Sequence, residues 1–242
     1  MRNFMEAVTI QDEEILVSLM QGLIDIGKTS TVFLVKYLDQ LGNMTAHFIN
    51  SGYESVAKMA IEFWTTVCES EYARMVSQGT SESILKDYNN TLLQIIFLGL
   101  SKMNEEDEQD VEDHDETIWT VSLASGCALE NLARVMCDSV LDPVFSFSSS
   151  RFRSEKWQER MVAYLALGAI IEGPSQQNFA QLLNGIYLQI VRSIQDDVPK
   201  VQRAIAYVLY RISSKIPQIA FSSQENVDVL ISTLLTFSES QN

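Results

Sequence analysis

The densest chemistry in the sequence is a run of carboxylates near its middle. Nine of the twelve residues in EEDEQDVEDHDE are acidic, namely Glu105, Glu106, Asp107, Glu108, Asp110, Glu112, Asp113, Asp115 and Glu116. Like charges at this density repel one another, so the segment stays solvated unless a cation-rich partner neutralises it. The run predicts either a solubilising loop or a site that binds a basic polypeptide, and the pattern alone leaves both interpretations open.

Trp119 follows the acidic run after two intervening residues. A tryptophan beside carboxylates can hold the stem of an arginine or lysine by a cation–π contact while the carboxylates take its charge. An indole at the start of a helix can equally anchor that helix in the core. We expect Trp119 to belong to the basic-ligand site, with the core anchor as the alternative.

Two further carboxylates have helical spacing. Glu62 and Glu69 lie seven residues apart, on one face of a predicted helix and displaced from the apolar set Ile61, Trp64 and Val67. They are predicted to extend the acidic surface. Paired carboxylates can also perform general acid–base catalysis, but that chemistry needs a pocket, a raised pKa and a companion nucleophile or metal.

The rest of the sequence supplies no such companion. It has only two histidines, and it has neither a glycine-rich phosphate loop nor a nucleophile elbow. Its three cysteines lack metal-ligand spacing, and their odd number indicates free thiols in a reduced, intracellular compartment. We predict a non-enzyme with no catalytic residue, metal or cofactor, and an acid–base hydrolase remains the enzymatic alternative.

A possible apolar site involves Tyr37, Leu41 and Met44, which fall on one stripe of a predicted outer helix. Stripes of this kind usually belong to a core. Between adjacent outer helices, however, a groove lined by apolar side chains could receive an aromatic side chain from a flexible ligand.

The composition indicates what must position these residues. Of the 242 residues 46% are hydrophobic, with only four prolines and ten glycines, which suits helices joined by short loops. No segment approaches the roughly 20 uninterrupted apolar residues of a membrane span. The net charge of −15 repels phosphate backbones and anionic lipid and attracts basic protein segments. Nucleic acid and membrane insertion are therefore not expected.

Degenerate repeats run along the chain. Five predicted inner helices align at positions 16, 57, 123, 160 and 203, and most of the intervals are close to the roughly 40 to 47 residues of HEAT units. The alignment places small residues at one tight position, namely Ala60, Gly126, Ala163 and Ala206. Outer helices with apolar spacing lie between them, and Pro199 suits the first turn of an inner helix.

The predicted fold is therefore all-α, an α-α superhelix (HEAT-repeat solenoid) of about five helical hairpins. We expect residues 1–242 to form a single HEAT-repeat array, a fragment of a longer solenoid. An acidic loop, residues 104–117, is expected within one hairpin, at the mouth of the concave surface.

Three stretches then resemble a known family. They are AIEFWTTVCE (Ala60 to Glu69), the acidic run followed by Trp119, and RMVAYLALGAIIEGP (Arg160 to Pro174). In this order and at these intervals they are similar to the middle repeats of the importin-beta (karyopherin-beta) family of nuclear import receptors. The similarity continues through DDVPKVQRAIAYVLYRISSKIP and covers most of the chain.

The resemblance implies a receptor in the cytoplasm, nucleus and nuclear pore. It would bind the basic importin-beta-binding domain of importin-alpha, or basic cargo, be released by Ran-GTP, and touch phenylalanine–glycine (FG) nucleoporins. By carry-over the acidic run and Trp119 would meet basic ligand or Ran, Glu62 and Glu69 would face Ran, and Tyr37, Leu41 and Met44 would approximate a nucleoporin pocket. A generic HEAT-repeat scaffold or adaptor subunit is the alternative.

Overall fold

The computed structural model describes residues 12–29, 31–102 and 120–240. These residues form α-helices and short 3₁₀ turns, with no strand among them. The α-helices are α1 (Glu13–Thr29), α2 (Thr31–Leu34), α3 (Leu38–Ile49), α4 (Glu54–Gln78), α5 (Asn89–Leu100), α6 (Val121–Met136), α7 (Leu141–Ser149), α8 (Trp157–Ala169), α9 (Gln176–Asn184), α10 (Tyr187–Arg192), α11 (Pro199–Lys215), α12 (Pro217–Ala220) and α13 (Gln224–Ser240). The all-α prediction is confirmed.

The chain divides into two compact units, Met1–Met136 and Cys137–Asn242. In the first unit α3 pairs with α4 and α5 with α6, so each pair forms a hairpin of a leading and a second helix. The second helices pack in chain order, α1 on α4 and α4 on α6, and the leading helices α3 and α5 pack on each other. Two helical layers bury the apolar stripe that a single hairpin would expose.

The second unit repeats this arrangement. Helix α7 pairs with α8 and α10 with α11, while the second helices α8 and α11 pack on each other. The leading helix α10 also contacts α13. Pro199 is the first residue of α11, as predicted, because its fixed φ suits a helix start and its missing N–H would have no partner there.

Small residues allow the helices of the first unit to approach closely. Ala60 is fully buried, as predicted from the repeat alignment, but Gly126 is partly exposed and that prediction is wrong. Ser125 takes the inward position instead, and a Cβ on Gly99 would lie 2.2 Å from its Oγ. A slip of one residue turns a side chain by about 100° around a helix, which moves it from core to surface.

In the second unit the repeat alignment and the buried positions differ by two residues. Ala163 is buried as predicted, whereas Ala206 is exposed and Ala204 faces the core. Tyr207, which follows Ala206, packs its ring against Gly168, where a Cβ would lie 2.6 Å from the ring edge. Gly168 therefore sets the separation between α8 and α11.

An ion pair fixes the same two helices. Arg160 on α8 donates from Nε and Nη2 to the two carboxylate oxygens of Asp196, over 2.7 and 2.8 Å, and the Val198 N–H donates to Asp196 over 3.0 Å. Burial raises the pKa of Asp196, but the hydrogen bonds from Arg160 and Val198 outweigh it, so the pKa lies below its usual value. The turn before α11 is thereby fastened to the preceding hairpin.

A buried carboxylate performs a similar task in the first unit. Glu71 near the end of α4 has no exposed surface, and its two oxygens accept from the Arg74 guanidinium over 2.7 and 2.8 Å. The Ile84 N–H also donates to it, over 2.8 Å. These bonds hold the loop that follows α4 against the helix.

Candidate functional site

The described part of the candidate site lies on the second helices of the first unit. Glu62 and Glu69 are both exposed on α4, on the side predicted from their spacing. Asn131 of α6 donates from Nδ2 to Glu69 over 3.3 Å, and Glu130 precedes it on the same helix. We call the surface formed by Glu62, Glu69 and Glu130 the acidic α4–α6 surface.

The thiol of Cys127 on α6 is close enough to all three carboxylates for their charges to affect its pKa. Partial burial raises the pKa of its thiol, and the negative charges of Glu130, Glu62 and Glu69 raise it further. The three acids therefore act on one volume of space. A thiol with a raised pKa remains protonated at neutral pH and is a poor nucleophile, so this arrangement does not favour cysteine chemistry.

The charge of this surface is only partly compensated. Arg134 pairs with Glu130 over 2.7 Å. Within residues 12–29, 31–102 and 120–240, no lysine or arginine lies within ion-pair distance of Glu62 or Glu69. The donor to Glu69 is a neutral amide. Carboxylates on a shared surface without their own cations attract a cationic ligand, and they do so more strongly at low salt.

The acidic run and Trp119 lie outside the described residues. These are Glu105, Glu106, Asp107, Glu108, Asp110, Glu112, Asp113, Asp115, Glu116 and Trp119. Their flanks are described: α5 ends at Leu100, α6 begins at Val121, and Ser122 Oγ donates to the Leu100 carbonyl over 3.0 Å. Cys127 lies six residues beyond Val121, about 9 Å along the helix. The described flank at Val121 therefore lies on the same helix as Glu130 of the acidic α4–α6 surface.

The predicted apolar stripe is corrected by the structure. Only Tyr37 is on the surface, 40% exposed, whereas Leu41 and Met44 are 3% and 6% exposed. Both are core residues because α3 packs on α4 on one side and on α5 on the other. Three more exposed apolar side chains lie just before Tyr37, at Val32, Phe33 and Val35, and Phe33 is 71% exposed.

A metal site, a membrane-spanning helix or a reactive cysteine would each indicate another function for the described part of the chain. There, no three histidine, cysteine or acidic side chains cluster as a metal site would need. No described helix combines the length and apolarity that a membrane crossing requires. Cys68 is fully buried, and burial together with Glu69 and Glu71 raises its pKa to about 12.

Comparisons with known proteins find similarity to importin-beta proteins. No family model matches the chain. It is 27% identical over 219 residues to importin subunit beta-1 of Arabidopsis thaliana and 27% identical over 218 residues to that of Saccharomyces cerevisiae, and each match covers 88% of the chain. The chain is similar to importin-beta over most of its length. It spans about a quarter of the length of these relatives, 25% in each case.

Solved structures support the importin-beta resemblance at the level of the fold. A structure of Kap95p with RanGDP has a TM-score of 0.83 at 22% identity, covering 95% of this chain and 27% of that one. A Kap95–Nup1 complex has a TM-score of 0.78 at 24% identity, covering 91% and 26%. The predicted HEAT-repeat fold is confirmed.

Proposed function

We propose that this importin-beta-like chain is a segment of a nuclear import receptor and that its first unit binds basic polypeptide. The observation that carries the proposal is the pair Glu62 and Glu69, exposed on one helix face beside Glu130 and without a cation of their own among the described residues. We extend the proposal to the acidic run and Trp119 on their charge and their position in the sequence. The ligand is the basic importin-beta-binding domain of importin-alpha or a basic cargo segment.

The distribution of charge supports a cationic ligand. Residues 1–136 contain 22 acidic and 8 basic residues, whereas residues 137–242 contain 10 and 9. Nearly all of the net negative charge therefore belongs to the first unit, which includes both the acidic run and the acidic α4–α6 surface. A field of one sign steers an oppositely charged ligand and sets the salt dependence of its association.

The remaining partners follow from the relatives. Kap95p has been solved with RanGDP and with Nup1, and we extend to this chain the binding of Ran-GTPase and of FG nucleoporins. The exposed apolar group Val32, Phe33, Val35 and Tyr37 is a better nucleoporin contact than the buried Leu41 and Met44. A receptor with these partners works in the cytoplasm, the nucleus and the nuclear pore, and it needs no catalytic residue.

The test is a titration of the 242-residue chain with a fluorescent arginine- and lysine-rich peptide, the importin-beta-binding segment of importin-alpha, at two salt concentrations. Glu62→Gln combined with Glu69→Gln should weaken binding by about 2- to 30-fold at low salt, since each exposed ion pair contributes about 0.2–1 kcal/mol. Replacing all nine acids of the run by their amides should weaken binding further and reduce its salt dependence.

The matched control is Glu155→Gln combined with Glu225→Gln, which removes two exposed carboxylates from the second unit. It should leave the affinity unchanged. If the peptide binds with the same affinity to the control and to both first-unit variants, the acidic surface is only solvating. The chain would then be better described as a HEAT-repeat scaffold.

A further inference from the structure

The second unit contains a positively charged groove, in contrast to the acidic α4–α6 surface of the first unit. A cavity of about 440 Å³ is lined by Phe152, Arg153, Gln189, Arg192 and Ser193. Phe152 and Arg153 come from the connection between α7 and α8, and the other three come from α10 and the turn that follows it. We call these five residues the arginine groove. Residues 39 apart in sequence thus bring two guanidinium groups to one cavity.

Both guanidinium groups remain available. Arg153 and Arg192 are exposed, and in the portion of the chain that the structure describes no carboxylate lies within ion-pair distance of either. Neighbouring arginines behave differently. Arg151 stacks on the Phe147 ring at 3.9 Å and donates to its carbonyl over 2.9 Å, and Arg160 is taken by Asp196.

The floor and walls of the groove are fixed by other contacts. Phe152 is 8% exposed, and its ring lies 4.8 Å from that of the buried Tyr164. Tyr164 is also hydrogen-bonded to Ser193, whose hydroxyl donates to the Gln189 carbonyl over 2.9 Å. The two segments that carry the arginines are therefore joined through Tyr164, so their backbone is already ordered before a ligand binds.

We propose that the arginine groove binds an acidic segment of a polypeptide. Two of its carboxylates pair with Arg153 and Arg192, and the Gln189 amide donates to a third oxygen, while the largely buried Phe152 forms the floor of the groove. Guanidinium groups suit this role because their planar fork matches a carboxylate in bidentate geometry.

A polypeptide fits this groove better than a small anion does. Each arginine is exposed, so a single ion pair with it is screened and weak. Useful affinity requires several contacts from one ligand, which a polypeptide with neighbouring carboxylates can make at once. Residues 137–242 hold 10 acidic and 9 basic side chains, so the unit is close to neutral and does not repel an acidic chain. The ligand is opposite in charge to that proposed for the first unit, and either proposal can fail without the other.

The experiment is a fluorescence-anisotropy titration of the 242-residue chain with a labelled twelve-residue peptide that alternates glutamate with leucine and tyrosine, at about 50 and 200 mM salt. The wild-type chain should bind saturably and more weakly at the higher salt. Arg153→Ala and Arg192→Ala should each weaken binding by about two- to fivefold, and the double variant by about four- to 25-fold. Arg203→Ala, which removes an exposed cation of α11 outside the groove, is the matched control and should have no effect.

Three results would overturn the proposal. The first is the absence of saturable binding at the lower salt, and the second is an equal loss of affinity in Arg203→Ala and the groove variants. The third is displacement of the peptide by inorganic phosphate at a concentration equal to that of peptide carboxylate, which would indicate a small-anion site. Circular dichroism of each variant confirms that the substitution of an exposed arginine has left the helices intact.

Discussion

Removal of the Glu71 carboxylate tests whether a buried charge holds the loop after α4. In Glu71→Ala three hydrogen bonds of 2.7–2.8 Å are lost, two from Arg74 and one from the Ile84 N–H, together with the hydrogen bond from Ser83. Breaking a buried pair costs about 3–5 kcal/mol. The Arg74 side chain is 19% exposed and can recover part of its hydration. We therefore expect about 3 kcal/mol of destabilisation, near the lower end of that range.

The Glu71 carboxylate also makes the stability of the fold depend on pH. Burial raises the pKa of Glu71, but hydrogen bonds from Arg74, the Ile84 N–H and Ser83 more than offset that effect and lower the pKa below its usual value. The folded state thus favours the ionised form more than the unfolded state does. The stabilisation is complete above the unfolded pKa and disappears as the pH falls through the folded pKa. The difference in stability between wild type and Glu71→Ala should therefore become smaller at acidic pH.

The assay combines urea unfolding at neutral and acidic pH with amide hydrogen exchange. The exchange of the Ile84 amide should accelerate in Glu71→Ala, because this N–H loses its acceptor. Glu82→Gln, which removes only an exposed partner of Lys86, is the control and should leave both measurements unchanged. A loss below about 1 kcal/mol at neutral pH, with unchanged Ile84 exchange, would refute the reasoning.

Three further changes test the remaining interfaces. Asp196→Asn should destabilise the chain by about 2–3 kcal/mol in urea, since it removes the charge from a largely buried ion pair, and a loss that does not shrink at acidic pH would contradict this account. Gly168→Ala should lower the melting temperature because its Cβ meets the Tyr207 ring at 2.6 Å, whereas Gly185→Ala adds a methyl group to open space and should not. Cys137 has φ 50°, so Cys137→Gly should stabilise by about 0.5–1 kcal/mol, and a lower urea midpoint would argue against strain there.

Helix content and the hairpin order were predictable because they depend on local periodicity. Apolar residues at helical spacing and Pro199 at a helix start indicate where helices lie without knowledge of their neighbours. The common face of Glu62 and Glu69 follows from the same rule, since seven residues make two turns. In both cases the relevant distances lie within one helix.

The details that failed depend on which side of a helix meets its neighbour. A helix packed in two layers carries apolar residues over much of its circumference, so its sequence does not distinguish Ser125 from Gly126, or the buried Leu41 from a surface residue. Only the packing of α3 on α4 and α5 decides that Leu41 and Met44 belong to the core.

Sites formed by segments that are far apart in the sequence could not be predicted either. Glu69 and Asn131 are 62 residues apart, and Arg153 and Arg192 are 39 apart. Each pair meets because neighbouring hairpins stack, and the stacking geometry depends on close contacts such as Gly99 against Ser125. The sequence by itself determined that this chain is a helical array with a strongly acidic run near its middle. Tertiary packing decided which charges share a surface, because helix rotation and hairpin spacing arise only when the two layers close on each other.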